Sequence, residues 1–373
     1  RPMDFTHSDE QLAIRKTFRD FAEREIRPAA QDLDQHPRFP RELFLKAGEL
    51  GFFGMRYPEP EGVGADLVSY LLAVEEIARG SLAVAAACTM QSLMGTFFVH
   101  RFIQGEDRQR LLIPALAGEV VGTICMTEPD AGSDLFAMKT RAEERDGTWY
   151  VTGQKTWITS APVADMFTVF ARTGDKELSI FLVEKGAPGL EVGRAIGKMG
   201  VKASLTSEVA FDETPATALL GERGKGTSYL REILAEIRLM TATLALGVAR
   251  AAAEAALQYA QEREQFGRPI CKFQAIQAHL ADNAVELEAA RRMIQWAAWR
   301  SAQGAPNDHE ASMTKLFASE AAARICDRAA RVLASYGYAH DYPVERYLRD
   351  VRFTLIGGGT SEILKLNIAR GLL

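Results

Sequence analysis

Cysteine is scarce and scattered: the 373-residue chain carries four, Cys88, Cys125, Cys271 and Cys326, with no CxxC pair. That argues against a disulfide framework or a zinc knuckle and leaves buried reduced thiols. The six histidines are equally dispersed and form no HExxH, so no metal site is expected. Blocks of Lys and Arg are also missing, and the net charge is -5. Without a basic footprint, neither nucleic acid nor an anionic membrane is expected as a partner. Apolar runs are short: 81–90 is brief and 240–253 is interrupted by Arg250, so neither reaches the roughly 18–20 residues of a spanning helix. No signal peptide is visible, Arg1 and Pro2 ahead of Met3 read as a processing remnant, and a cytoplasmic location is the expectation. No GxGxxG follows a strand, which removes support for a Rossmann site.

What is present is an ordinary globular composition, 47% apolar and 25% charged, on a chain long enough for two or three structural regions. Up to about Gly118, apolar residues recur at helical spacing (Leu12, Ile14, Phe18, Phe21, Ile26), punctuated by Pro28, Pro37, Pro40, Pro58 and Pro60. The texture then changes to short β-branched and aromatic runs at 148–152, 156–159, 166–171, 178–183 and 208–211, separated by Gly, Asp and Pro, as in an antiparallel sheet or barrel. Long Ala-rich helices are predicted at 229–263, 273–302 and 307–335. Gly267 is predicted to cap the first of these in the left-handed conformation, with Pro269 preventing its continuation. The expected fold class is α+β: an N-terminal helical domain (1–119), a central antiparallel β-barrel (120–224) and a C-terminal four-helix bundle (225–373).

Four segments carry residue types suited to chemistry, and each has a plain structural reading beside the functional one. Cys125 to Asp134 is a turn-rich loop in which Gly132 and Ser133 bring backbone N–H groups to an anion or ring edge, or it is an ordinary Pro-Asp-Gly turn. Trp157 and Thr159 share a strand where an indole covers a planar cofactor and a hydroxyl bonds its edge, or Trp157 is a core residue. Arg263, near a helix end in REQFG, suits a phosphate or pyrophosphate, or a surface ion pair. Gly357, Gly358 and Gly359 open onto the last helix, admitting a ligand close to backbone, or acting as a linker.

In this order the strings MTEPDAGSD, GQKTWITSA, YAQEREQFGRPICKFQAIQAHLAD, YPVERYLRDVR and GTSEI resemble the acyl-CoA dehydrogenase family over nearly the whole chain. The resemblance implies FAD as cofactor, α,β-dehydrogenation of an acyl thioester, a homotetramer, and an electron-transfer flavoprotein or oxygen as electron acceptor. It assigns Met126, Thr127, Ser133, Trp157 and Thr159 to the flavin. Arg263, Phe266, Phe273 and Gln274 fall to the ADP half of FAD across a subunit interface, and Thr360 and Glu362 complete the cofactor site. Ser133, Arg238 and Gly358 fall to the substrate.

The pattern breaks at the catalytic base, which abstracts the weakly acidic α proton. The family's usual Glu position is Gly358, and the alternative position on the bundle helix is Ile237. Glu236 is the nearest carboxylate, but one helical residue turns a side chain by about 100° and shifts it about 1.5 Å. A carboxylate from another segment or from the substrate, or no base at all, remains open. Two further departures are Arg331-Val-Leu-Ala-Ser335, where the family has Gln and two glycines, and Ala235, where an Asp is usual. Arg331 is a candidate to compensate with charge near FAD. A carrier-protein thioester therefore stands beside acyl-CoA, and the triple glycine predicts room for a branched, cyclic or otherwise bulky acyl group. A flavin-dependent monooxygenase or oxidase on the same scaffold and a non-catalytic FAD-binding helper subunit are the competing readings.

Overall fold

The computed structural model describes residues 5–304 and 307–373; the remnant at Arg1 and Pro2 lies outside them. The N-terminal helices start where polar caps precede apolar periodicity. Ser8 and Gln11 form a reciprocal capping box at the head of Asp9–Phe21, and the Asp66 carboxylate accepts from Ser69 N at 2.7 Å at the head of Leu67–Gly80. Each cap satisfies amide donors that the first turn leaves unpaired. The helical run Leu82–Phe102 is, at 21 residues, long and apolar enough to cross a membrane, contrary to the expectation from 81–90 alone. Thr96 and Phe97 extend it beyond that stretch, and 89% of its apolar window is buried inside the protein. It is a central core helix of this fold.

Eight strands follow: β1 (Gly122–Cys125), β2 (Arg141–Arg145), β3 (Thr148–Thr159), β4 (Met166–Arg172), β5 (Leu178–Glu184), β6 (Leu190–Val192), β7 (Thr206–Pro215) and β8 (Ala218–Leu219). Their order is β6-β7-β3-β2-β4-β5-β8, with β1 parallel to β4. The sheet is open, not the expected closed barrel. Its end strands β6 and β8 are three and two residues long and do not pair with each other, so the ladder that closure requires is missing. Phe167, Val169, Phe181, Val151 and Val209 form a core of the sheet's own. Met166, Phe170, Ile180 and Leu182 belong instead to the main core shared with the helices, so β4 and β5 are buried on both faces.

The chain closes with the helices Gly226–Glu262, Gln274–Ala302 and Asp308–Leu333 and shorter ones to the C-terminus. Gly247 on the first of these lies against Leu67–Gly80 so closely that a Cβ there would stand 2.5 Å from Ala78 Cβ and 2.6 Å from Glu75 O. Only glycine permits that approach. Glu76 is wholly buried at this crossing and takes Arg15 at 2.9 Å, Arg250 at 2.9 Å, Arg79 at 3.0 Å and Arg19 at 3.3 Å. Burial opposes its ionisation, but Arg250, Arg15 and Arg79 outweigh it and bring its pKa down to about 2. Asp308–Leu333 ends at Ala334, which has φ +53° and ψ -126°, a backbone region that suits glycine.

Two outcomes are expected. A carboxyl whose folded pKa lies below its unfolded value stabilises fully above the unfolded pKa and loses that contribution as pH falls. The melting temperature should therefore drop as pH goes from about 4.5 toward 2, and Glu76→Gln should flatten that limb while lowering stability at pH 7 by roughly 3–5 kcal/mol. Ala334→Gly should raise the melting temperature, with relief of roughly 1 kcal/mol of backbone strain.

Candidate active site

On β3 the pairing with β7 slips between Lys155 and Ile158: Lys155 faces Val209 while Ile158 faces Ser207. One extra residue on β3 makes a bulge there. It joins the two expected strand runs into a single strand and turns Trp157 to φ +59°, leaving its indole 58% exposed while Lys155 and Ile158 stay inside. Trp157 is thus an outward-facing aromatic on a constrained bulge, not a core residue. Thr156 N donates to Thr127 O at 2.9 Å, tying the bulge to the Met126–Asp134 loop. Thr159 O accepts from Thr123 Oγ1 at 2.6 Å.

The loop is held from beneath by a buried ion pair that sequence reasoning missed. Glu128 accepts from Lys155 Nζ at 2.9 Å, Lys139 N at 2.5 Å and Thr140 N at 3.0 Å. Lys155 Nζ also donates to Met126 O at 3.1 Å. Burial works against the Glu128 charge, and the amides of Lys139 and Thr140 together with the Lys155 ammonium overcome it, so its pKa falls. With Glu128 turned inward and its backbone bridged to Ala131, the loop leaves Met126 and Thr127 half-buried and Gly132 and Ser133 exposed. The only trace in the sequence was that Glu and Lys sit inside the two quoted strings.

At the far end of the bundle, Gly226–Glu262 stops one residue before Arg263, and Gly267 is not its cap. Glu264–Gln265 pairs with Arg268–Pro269, and Phe266 (φ +52°) and Gly267 (φ +75°) make the two-residue turn. Positive φ at both central positions is the hairpin geometry of a type I′ turn. Phe266 is pushed out to 92% exposure. Arg268 lies 4.4 Å over the Phe273 ring, Arg263 lies 5.8 Å over Tyr336, and Gln274 begins the next helix. Arg263, Phe266, Phe273 and Gln274 are therefore gathered in one place. Arg331, by contrast, is exposed and pairs with Asp327 one turn back on its own helix at 2.7 Å.

Gly358 adopts φ +71°, and a Cβ on it would meet Thr241 Oγ1 at 2.9 Å and the Ile237 carbonyl oxygen at 3.8 Å. The two positions at which the family resemblance expects a base are thus adjacent in space, and neither bears a carboxylate. Gly359 O accepts from Lys315 Nζ at 2.7 Å. Lys315 is completely buried, which pulls its pKa down to about 8. Nothing in its Ala-rich helix marks that lysine out. Thr360 caps the final helix through Ile363 N, and Glu362 is exposed on its first turn. Arg238 is buried beside this loop's supporting helices and bonds Asp308 at 2.9 Å, with its Nε unpartnered; burial lowers its pKa.

Glu236 does not point to the base position. Its Oε1 accepts from Arg56 Nη2 at 2.6 Å, and its Oε2 lies 2.6 Å from Arg56 Nη1 in an ion-pair contact without hydrogen-bond geometry, so the carboxylate is turned to the guanidinium by one charge-assisted hydrogen bond. Burial disfavours the Arg56 charge, and Glu236 more than restores it. Beside this pair is a cavity of about 440 Å³ lined by Arg56, Tyr57, Ser92, Phe97, His100 and Arg101 among others.

Models of the acyl-CoA dehydrogenase N-terminal, middle and C-terminal domains match residues 8–119, 123–214 and 224–373. The chain is 58% identical over 373 residues to benzylmalonyl-CoA dehydrogenase of Aromatoleum aromaticum, covering 99% of each. It is 40% identical over 381 residues to 3-(aryl)acrylate reductase of Clostridium sporogenes, covering all of both. Its fold matches butyryl-CoA dehydrogenase from Megasphaera elsdenii with a TM-score of 0.95 at 34% identity, covering 99% of this chain and 100% of that one. The chain belongs to the acyl-CoA dehydrogenase family. It is an FAD-dependent oxidoreductase acting on CH–CH bonds of acyl thioesters.

Lys155→Met should leave the Glu128 carboxylate without its ammonium and loosen the loop. The expected result is a lower FAD-to-protein ratio after purification, partly restored in Lys155→Met/Glu128→Gln, with far-UV dichroism reporting that both variants fold.

Proposed function

We propose that this chain dehydrogenates a CoA thioester whose α carbon bears a carboxylate and whose β carbon bears a bulky ring, releasing CO₂. The observation that carries this reading is the pair Gly358 and Ile237: adjacent positions, no carboxylate at either, and Glu236 locked to Arg56. A simple acyl thioester needs a base to remove its α proton. A malonyl-type thioester does not: when the bond from the α carbon to the carboxylate breaks, CO₂ leaves and the electron pair stays on the α carbon as the thioester enolate. Hydride then leaves the β carbon, and the product is the α,β-unsaturated thioester. FAD, when bound, accepts that hydride. The name of the 58% identical relative denotes such a compound, a malonyl thioester carrying a benzyl group.

Each part of the chain has a place in this reading. Gly358 bears no side chain, and at φ +71° with Thr241 Oγ1 2.9 Å from where a Cβ would stand it admits none without a shift, so no base projects from this position beside the buried Ile237. A carboxylate there would face the Ile237 carbonyl and a Thr241 hydroxyl that already donates to that carbonyl, neither of which offers it a donor, and loss of its charge as CO₂ relieves that cost. The exposed Trp157 indole, Met126, Thr127, Ser133 and Thr159 fit the isoalloxazine. The unobstructed approach at Gly132, where a Cβ would come no nearer than 3.9 Å to Thr127 Cγ2, supports that fit. Arg263, Phe266, Phe273 and Gln274 suit the ADP half of a partner's FAD in a homotetramer, which would cover the exposed Phe266 ring, with Thr360 and Glu362 completing the site. Arg331 would join only by releasing Asp327. An electron-transfer flavoprotein is the acceptor we favour.

Anaerobic mixing with benzylmalonyl-CoA should bleach the flavin absorbance and release one CO₂ per flavin reduced. 3-Phenylpropionyl-CoA, which has the same ring and no carboxylate, should bleach it at least about 100-fold more slowly, the order that loss of general-base catalysis costs. Equal rates for the two thioesters, or bleaching by the first without CO₂, would contradict the proposal.

A further inference from the structure

We infer that the cavity beside Arg56 is the seat of the substrate's ring, that the Arg56 guanidinium forms one flat wall of it, and that Glu236 is a positioning residue for that wall. This rests on the ring-bearing substrate proposed above. Glu236 directly precedes Ile237 on the helix, and the Ile237 carbonyl lies 3.8 Å from where a side chain at Gly358 would begin. One residue along the helix turns the direction by about 100°, so Glu236 faces not Gly358 but Arg56, which lines the cavity.

The walls of that space are flat and already have their charges matched. Tyr57 and His100 stack with ring centroids 3.9 Å apart and planes within 4°. Phe97 adds a third ring. Arg101 is bound to Glu232 and lies over the Phe102 and Tyr229 rings at 5.1 Å each. Arg56 itself rests 5.4 Å over Tyr70, and Ser92 Oγ is engaged by Tyr70 OH at 2.7 Å. Burial and the neighbouring Arg108 hold the His100 pKa below its ordinary value, which favours the uncharged ring. A guanidinium whose edge is paired with a carboxylate still offers its face, and a flat aromatic ring is attracted to that face where a flexible alkyl chain gains little. The volume is adequate: a cavity of about 150 Å³ already accepts benzene, and this one is about 440 Å³.

The test uses the FAD-loaded enzyme with benzylmalonyl-CoA and its alkyl counterpart, pentylmalonyl-CoA, in wild type, Arg56→Met, Arg56→Lys and Glu236→Gln, each checked for flavin content. Arg56→Met should lower kcat/KM for the aryl substrate about tenfold, through KM, and change the alkyl substrate by less than about threefold. Arg56→Lys should lose the same preference, because it keeps the charge without the plane. Glu236→Gln should weaken the preference severalfold through KM while kcat and its pH profile stay in place. A preference unchanged in Arg56→Met with full flavin overturns the inference. So does a Glu236→Gln variant whose kcat collapses and whose pH profile shifts, since that is the behaviour of a base. Binding of cinnamoyl-CoA, read from the flavin absorbance shift, separates this inference from the proposed reaction. If the wild type releases no CO₂ but Arg56→Met still weakens cinnamoyl-CoA about tenfold, the ring seat stands without the decarboxylation. If cinnamoyl-CoA binds Arg56→Met as tightly as wild type, the ring seat fails.

Discussion

A single buried carboxylate, Glu76, sets the relation between the N-terminal helices and the C-terminal bundle. Four arginines from three helices converge on it, and the glycine at 247 lets two of those helices approach to backbone contact. An isolated charge could not persist there, since desolvation of one ion costs several kcal/mol. Because its charge is matched by arginines from both helical layers, the network works as a registration device between them. The cavity and the Arg56–Glu236 pair lie across the same seam, with Arg56 on the N-terminal side and Glu236 on the bundle helix. A shift of one layer by a helical turn would separate them.

The same principle recurs on a smaller scale under the Met126–Asp134 loop. Glu128 and Lys155 neutralise each other inside the sheet domain, and the spare donors and acceptors of each bind backbone: two amides on one side, the Met126 carbonyl on the other. The loop's shape is thus defined from below by charge, and the bulge on β3 is tied to it by Thr156 and Thr127. Strain at Trp157 is retained because the pairing on both sides of the bulge is intact. An exposed aromatic in a costly conformation makes sense where a planar partner covers it.

Removing a base from a proton-abstracting scaffold need not abolish its chemistry. The enolate is the common species, and it is reached either by losing a proton or by losing CO₂. In the function we propose, the lack of a carboxylate at Gly358 and Ile237 suits the second route, while the nearest acid, Glu236, is paired with Arg56. On the function we propose, the departure from the family pattern is a change of substrate.

The order of helical, sheet and helical segments was legible from periodicity and breaker residues, because burial on one face imposes a 3.6 or 2.0 repeat wherever it occurs. So was the FAD dependence, which follows from residue identities in strings that sit in family order. Local patterns could not say whether Trp157 faced in or out, because one extra residue in a strand inverts the alternation. Nor could they tell that Gly267 belongs to a hairpin turn instead of a cap, since both need positive φ. They read the sheet as a barrel, although closure depends on strands β6 and β8 meeting. Lys155 and Lys315 were invisible as interior residues, since a lysine reads as surface until a carboxylate or carbonyl from a distant segment reaches it. The sequence alone determined that no acid stands at 237 or 358; tertiary structure alone decided that these positions are neighbours and that Glu236 is turned to Arg56, because both depend on how helices far apart in the chain pack.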